Sequence, residues 1–317
     1  MKTARLGGFS AVLAILAIEG SASAFCRTTT IPISPDFQPS ATKCWEEGLP
    51  LFWKNACVGY TIAEAASDQI AYELATTTID DAFAKWSNAT CPAASSGTNP
   101  SVSVKFMGGA SCARVEYNQN SPNQNVIFFR DDAWPHTDSN NTLALTTVTF
   151  DTTTGEIYDA DMEINSHDQT ITTSATVPQD GYDFESIVTH ETGHFLGLAH
   201  SGDVNATMFA RYRPGSSQMR LLTSDDARGV CAIYPADGTR ETSTGSVVAD
   251  VCDPTPRHGF ATDCSDTAAS DDTVPSGGGS CSLGARPPTS TAHFPGWAAA
   301  AGLLFACTAR RRGRSSP

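Results

Sequence analysis

The chain has 317 residues, 40% of them hydrophobic and 17% charged, enough apolar material for one sizeable core and the wrong composition for collagen, a coiled coil or a polytopic membrane protein. Its 20 Lys+Arg stand against 34 Asp+Glu for a net charge of −14. Between Phe25 and Cys281 the balance falls to 13 bases against 33 acids, a sign that excludes nucleic acid as a partner.

Ten cysteines without a single CxxC pair point to disulfides formed in an oxidising compartment. The first segment agrees with that. Met1–Ala24 carries Lys2 and Arg5, then the apolar run Phe9 to Ile18, then Ala22-Ser23-Ala24, the order of parts in a secretory signal peptide. The run is too short to span a bilayer.

Residues 25–235 carry the periodic signals of an α+β domain. Ile79, Phe83 and Trp86 recur at helical spacing and predict an amphipathic helix from about Ser67 to Trp86. Val102, Val104 and Phe106 alternate, as do Leu143 and Leu145, then Val148 and Phe150 after a slip of register, and both runs read as strands. Tyr158, Ala160, Met162 and Ile164 alternate with Asp159, Asp161, Glu163 and Asn165. That strand is predicted to put four polar groups on one face. Asp159, Asp161 and Glu163 are hard oxygen donors suited to a calcium ion, with a solvated strand face as the competing reading.

The chemistry concentrates in His190-Glu191-Thr192-Gly193-His194-Phe195-Leu196-Gly197-Leu198-Ala199-His200. Asp183 is the N-cap candidate for a helix running to about Leu196. Residues four apart share a helical face, so His190 and His194 can offer their imidazoles to one ion. A continued helix would carry the next residues away along its axis. Gly197 can take a positive φ at low steric cost and turn the chain back, so that His200 becomes a third ligand. Three protein ligands leave a position for water, the open geometry of a catalytic zinc site. Glu191 is not needed as a ligand and is free to take a proton from the metal-bound water, then hand it to a leaving amine. His136, His167, His258 and His293 lack such company and read as ordinary side chains.

The eleven-residue string resembles that of the metzincin zinc peptidases, which pair it with a later methionine turn. Ser201 after the third histidine, and Ala206-Thr207-Met208-Phe209-Ala210-Arg211-Tyr212, resemble the matrixin branch, the matrix metalloproteinases. Leu222 to Tyr234 is similar to the last helix of that family, whose aspartates brace the methionine turn, and Ile79 to Trp86 to its first. The resemblance implies a zincin fold: a twisted, mostly parallel sheet with an antiparallel edge strand, an active-site helix and a C-terminal helix. It also implies one catalytic zinc, Met208 as a hydrophobic base beneath the histidines, and Tyr212 as a wall of the pocket for the side chain after the scissile bond. A peptide or protein substrate would add as a strand beside Leu143 to Phe150.

Departures from the family are specific. Ala210 stands where matrixins usually carry proline. Their second, structural zinc lacks its ligands: His136 and Asp138 mimic one pair, but Leu145 and Asp161 stand where other histidines would fall. The latency run Pro-Arg-Cys-Gly is missing. Two rival readings are a non-catalytic surface binding or adhesion module that keeps the zinc for stability, and a metzincin of another branch. The astacin-like branch places a zinc-binding tyrosine where this chain has Ala210.

Residues 236–281 are rich in Gly, Ser, Thr, Asp and Pro and are predicted to form an extended acidic stalk without EF-hand spacing. Cys252 and Cys264 are expected to pair within it, and Cys26, Cys44, Cys57, Cys91, Cys112 and Cys231 among themselves in any of fifteen ways. In residues 282–317, Phe294 to Ala309 is almost wholly apolar and is followed by Arg310, Arg311, Arg312 and Arg314. With Gly277-Gly278-Gly279-Ser280-Cys281-Ser282 before it, this end resembles the C-terminal sorting signal of myxobacterial surface proteins, which implies cleavage and anchoring near Cys281. The expected protein is secreted and held at the outer surface, its only membrane contact through this segment. Oligomeric state is not readable from the sequence.

Overall fold

A computed structural model describes residues 24–34, 36–92, 98–242, 244–265, 276–285 and 308–309, the last two segments as backbone. In chain order the elements are β1 (Cys26–Arg27), β2 (Cys57–Ala63), α1 (Tyr72–Ser87), β3 (Ser103–Ala110), β4 (Val126–Phe129), β5 (Thr142–Asp151), β6 (Ile157–Ile164), β7 (Ile171–Thr172), β8 (Tyr182–Asp183), α2 (Phe184–Phe195), β9 (Leu198–Ala199), β10 (Arg211–Tyr212), α3 (Ser224–Ile233), β11 (Thr239–Thr242), β12 (Gly245–Val248), β13 (Ser276–Ala285) and β14 (Thr308–Ala309).

The main sheet runs β10-β13-β5-β6-β4-β2-β3, and its body is the five strands β5-β6-β4-β2-β3. β3, β2, β4 and β6 run parallel, and β5 lies antiparallel to β6. The connection between β2 and β3 contains α1, as parallel pairing requires a crossover. The inward face of α1 is Ala75, Ile79, Ala82, Phe83 and Trp86, all buried, and it packs on α2, which also lies against β5 and β6. Phe83, Phe195, Trp53 and Tyr60 stack into one aromatic core between these layers, with ring centroids 4.7–5.6 Å apart. The mixed α/β domain therefore places α2 directly beside β5, the last strand of that five-stranded body.

Helix α1 begins five residues later than the apolar spacing predicts. Ser67 and Ile70 exchange backbone hydrogen bonds, and the Ser67 hydroxyl donates to Asp131. That tertiary contact holds Ser67–Ile70 in a turn, and periodicity cannot register it. β6 departs further from expectation, because its polar face is not solvated. Asp159, Asp161, Glu163 and Asn165 are all buried, at 0–2% exposure.

The 236–281 segment is corrected as well. Cys252 and Cys264 do not pair with each other: the disulfides are Cys26–Cys44, Cys57–Cys252, Cys91–Cys231 and Cys112–Cys264. Two of them fasten this segment to β2 and to the end of β3. Backbone bonds Asp250 N to Lys54 O and Cys112 N to Thr262 O add to the attachment. Arg240 is fully buried, donating to the carbonyls of Trp53 and Ser101. Composition reports flexibility only where nothing else holds the chain; here the cysteines and one arginine do. Residues 1–23 of the expected signal peptide, and most of the expected apolar helix 294–309 with its Arg cluster, lie outside the described residues. The last two residues of that helix, Thr308 and Ala309, are strand, paired with Gly279 and Ser280. No helix among the described residues is long and apolar enough to cross a membrane.

Candidate active site

α2 starts as the sequence predicts. Asp183 is its N-cap and accepts from Ser186 N at 2.9 Å, satisfying one of the helix's orphan amides. Arg220 clamps the same carboxylate through Nε and Nη2, at 2.8 and 2.5 Å. This partner lies 37 residues downstream, and no sequence pattern announces it. At the other end the last carbonyls find donors from afar: the Trp53 indole on Phe195 O and the Tyr234 hydroxyl on Leu196 O, each at 2.8 Å.

Gly197 has φ +92°, the left-handed conformation that favours glycine. A Cβ there would also stand 3.0 Å from Leu51 O. Past this turn the chain doubles back as β9, paired with β1, and delivers His200 to His190 and His194. The ligand-capable atoms of the three side chains lie within 4.8 Å of one another. The ring centroids are 4.8–5.3 Å apart.

The hydrogen bonds behind the rings set their tautomers. His190 Nδ1 lies 2.6 Å from Thr207 O and His194 Nδ1 lies 2.8 Å from Leu198 O. A carbonyl can only accept, so in each neutral ring Nδ1 carries the proton and Nε2 is left as a lone pair. The two Nε2 atoms face each other at 3.0 Å. Burial holds both imidazoles neutral, His194 down to about 4 and His190 well below the usual histidine value, helped by its two histidine neighbours. Lone pairs converging in a dry site repel unless a cation sits between them. The donor set, three imidazoles of which His190 and His194 rest their outer nitrogens on carbonyls, fits zinc.

Glu191 is fully buried, and its Oε2 accepts from the Thr146 hydroxyl at 2.6 Å. Thr146 lies on β5 and ties the carboxylate to the edge strand. Sequence reading identified the strand but not this residue, because a threonine in a strand is ordinary.

The methionine turn is held from α3. Asp226 accepts from Thr207 N and Met208 N at 2.9 and 3.0 Å, and from both N and Oγ1 of Thr223, each at 2.7 Å. Thr207 O then receives His190, so one carboxylate reaches a histidine through one peptide unit. Its neighbour Asp225 accepts from Ser201 Oγ at 2.8 Å and from Ala24 N at 2.9 Å. Met208 is buried against α2 so closely that a Cβ on Gly193 would meet its sulfur at 2.3 Å and Trp86 Cζ2 at 2.8 Å. Gly193 thus has a steric role invisible in the motif. Tyr212 is buried beside Tyr182, its hydroxyl donating to Ser216 O; burial pushes its phenol above the usual tyrosine value.

Of the three residues expected to suit calcium, Asp159 and Asp161 are brought together, but with Glu163 they form no metal-holding group among the described residues. Glu163 pairs with Arg130 at 2.5 Å and with His136 at 2.9 Å, while Asp161 accepts from the backbone amides of Glu116 and Val126. Asp159 and Asp161 hydrogen-bond each other, and burial, then their mutual repulsion, raises Asp159 well above the carboxylate range. Arg130 and Glu163 form a salt bridge, His136 makes a hydrogen bond with the same carboxylate, and Asp138 bonds to Asn141 instead of joining His136.

Comparison with known proteins gives a consistent picture. A family model described as matrixin, peptidase M10, matches residues 52–235. Human matrilysin is 43% identical over 54 residues, 17% of this chain and 20% of that protein. Metalloendoproteinase 1-MMP of Arabidopsis thaliana is 46% identical over 52 residues, 16% of this chain and 14% of its own length. Human neutrophil collagenase is 37% identical over 73 residues, 23% and 16% of the two chains. The aligned segment thus spans a fifth or less of each of these relatives.

Proposed function

The chain belongs to the matrixin family of peptidases, and from that premise we propose that it is a zinc-dependent endopeptidase acting outside the cytosol. The observation that carries the reading is the convergence of His190, His194 and His200, the first two with their outer nitrogens on carbonyls, and Glu191 beside them. When bound by these three histidines, zinc supplies Lewis-acid polarisation of a water and of the scissile carbonyl.

The remaining work falls to the protein. Thr146 holds the Glu191 carboxylate in place, and Glu191 accepts the proton of the attacking water and returns it to the amine that leaves. Asp226 and the Met208 turn fix the orientation of His190 from behind. An extended peptide is taken between the outer edge of β5 and β10, where main-chain hydrogen bonds give affinity and the pocket at Tyr212 gives selectivity. Four disulfides support an oxidising location. The signal-like Met1–Ala24 supports secretion, and the Cys281 region with its basic tail supports attachment at the outer surface.

The test is Glu191→Ala in the full chain. Hydrolysis of a general protein substrate should be abolished while one equivalent of zinc stays bound. An unchanged rate would sink the assignment, and stoichiometric zinc with no turnover on any peptide library would favour a binding module.

A further inference from the structure

An edge strand beside an active site presents unpaired amides and carbonyls, a template for an incoming strand. In this molecule the outer edge of β5 is already paired, by the chain's own β13. β13 runs antiparallel to β5 from Ser276 opposite Asp151 to Gly284 opposite Thr142. At its far end it runs parallel to β10, with Gly284 opposite Arg211 and Ala285 opposite Tyr212. It therefore occupies the place assigned above to an extended substrate.

The register carries the point further. Cys281 lies opposite Thr146, the residue whose hydroxyl holds Glu191. Leu283 lies opposite Ala144, and the pairing shifts between Leu283 and Gly284, where β13 passes along β10. The stretch Cys281–Gly284 thus crosses from the general base to the strand that carries Tyr212. In Ser276–Ala285 the sequence has three consecutive glycines and one large apolar residue, Leu283. The chain is also delivered locally: Cys264 is fastened to Cys112, and Ser276 follows it by 12 positions. A tether that short gives an effective concentration on the order of millimolar, above that of most external substrates.

We propose that Ser276–Ala285 is the enzyme's own substrate, cut in cis between Ser282 and Leu283. The inference rests on the endopeptidase reading and names a substrate of that same site. Water adds across the amide: its oxygen bonds to the Ser282 carbonyl carbon, the bond from that carbon to the Leu283 nitrogen breaks, and Glu191 carries a proton to that nitrogen. The products are a Ser282 carboxylate on the catalytic fragment, which keeps Cys281, and a free amine on Leu283–Pro317. Until the cut, β13 blocks the cleft; afterwards the segment can leave and other peptides can enter.

The experiment uses the full chain, wild type and Glu191→Ala, loaded with zinc and followed by intact-mass spectrometry alongside hydrolysis of a peptide library. The wild type should lose Leu283–Pro317 with a first-order rate that is unchanged over about 100-fold dilution, as an intramolecular step requires. Glu191→Ala should stay whole, and its Gly277–Gly284 amides should exchange with deuterium about 100-fold more slowly than in unstructured chain. Leu283→Pro, which removes the amide N–H at the cut, should remain whole and, with its cleft still covered, hydrolyse library peptides more slowly than the cut wild type. A wild type that hydrolyses the library but keeps Leu283–Pro317 overturns the proposal alone. So does a cut outside Cys281–Gly284, a rate proportional to protein concentration, or unprotected Gly277–Gly284 amides. Inactivity on every peptide overturns the endopeptidase reading, and this proposal with it.

Discussion

The hydroxyl of Thr146 donates to Glu191 Oε2 at 2.6 Å, across the boundary between edge strand β5 and helix α2. One hydrogen bond thereby couples the strand proposed to receive the substrate to the group proposed to move the proton. Replacing Thr146 with Val keeps the shape and removes the donor. A hydrogen bond to a carboxylate contributes about 1.5–3 kcal/mol, so kcat/KM for peptide hydrolysis should fall roughly 10–100-fold. Zinc content should not change, because Thr146 touches no ligand. Equal rates for Thr146→Val and wild type would show that Glu191 is positioned by other contacts.

Asp226→Asn tests the brace under the methionine turn. The buried carboxylate accepts four hydrogen bonds, from Thr207 N, Met208 N, Thr223 N and Thr223 Oγ1. An amide keeps one acceptor oxygen and turns an NH2 toward donors. Leaving buried donors unsatisfied costs about 1–3 kcal/mol each, so the urea midpoint should drop clearly. Zinc affinity should weaken about 10–100-fold, because Thr207 O orients His190. Competition with a metal chelator measures the second effect apart from the first.

These two residues also mark how far the sequence is legible. The metal-facing histidines, the Gly197 turn and the Asp183 cap all follow from local spacing and local chemistry, and each is where that spacing predicts. Thr146, Arg220 and Gly193 escaped because their roles depend on contacts 45, 37 and 15 residues away. The buried face of β6 escaped for another reason: alternation shows which residues share a face, and only tertiary packing decides whether that face is wet. The segment after residue 236 misled because Gly, Ser and Thr describe an unattached chain, whereas Cys252, Cys264 and Arg240 attach it.

Gly193→Ala probes the packing that the motif hides. The new Cβ would lie 2.3 Å from Met208 Sδ and 2.8 Å from Trp86 Cζ2, well inside contact distance. Overpacking of this kind costs about 1–3 kcal/mol, and the sulfur must move. Thermal unfolding should shift down by several degrees. The double variant with Met208→Ala should recover part of that loss, and no recovery would place the clash elsewhere.

Non-reducing peptide mapping decides the covalent frame. Cys57–Cys252 and Cys112–Cys264 close separations of 195 and 152 residues, and loops of that size stabilise by about 5 kcal/mol each in the chain-entropy account. The map should contain those two pairs and no Cys252–Cys264 peptide. Cys252→Ala with Cys57→Ala should sharpen protease sensitivity within 239–265 before the domain itself unfolds. A Cys252–Cys264 crosslink would restore the free stalk.

The buried pair Asp159 and Asp161 predicts an alkaline weakness. Burial raises Asp161 to about 8, against the hydrogen bonds it receives from the Val126 and Glu116 amides and from Asp159, and burial, then repulsion from Asp161 and Glu116, raises Asp159 well above its ordinary value. A carboxyl whose folded pKa lies above its unfolded one binds more protons in the native state. Its contribution to stability is present below the unfolded value near 3.8 and is lost as pH rises toward about 8. Between those limits each pH unit costs up to about 1.4 kcal/mol per proton. The urea midpoint of the wild type should therefore fall between pH 5 and pH 8. Oδ1 of Asp159 is buried without a hydrogen-bond partner among the described residues, so Asp159→Asn removes the need for a proton and gives up no salt bridge among those residues. That variant should match the wild type at pH 5, exceed it at pH 8, and show a flatter profile between. A wild-type midpoint that rises from pH 5 to pH 8 would mean that the pair is ionised in the native state and that a cation or another donor compensates it.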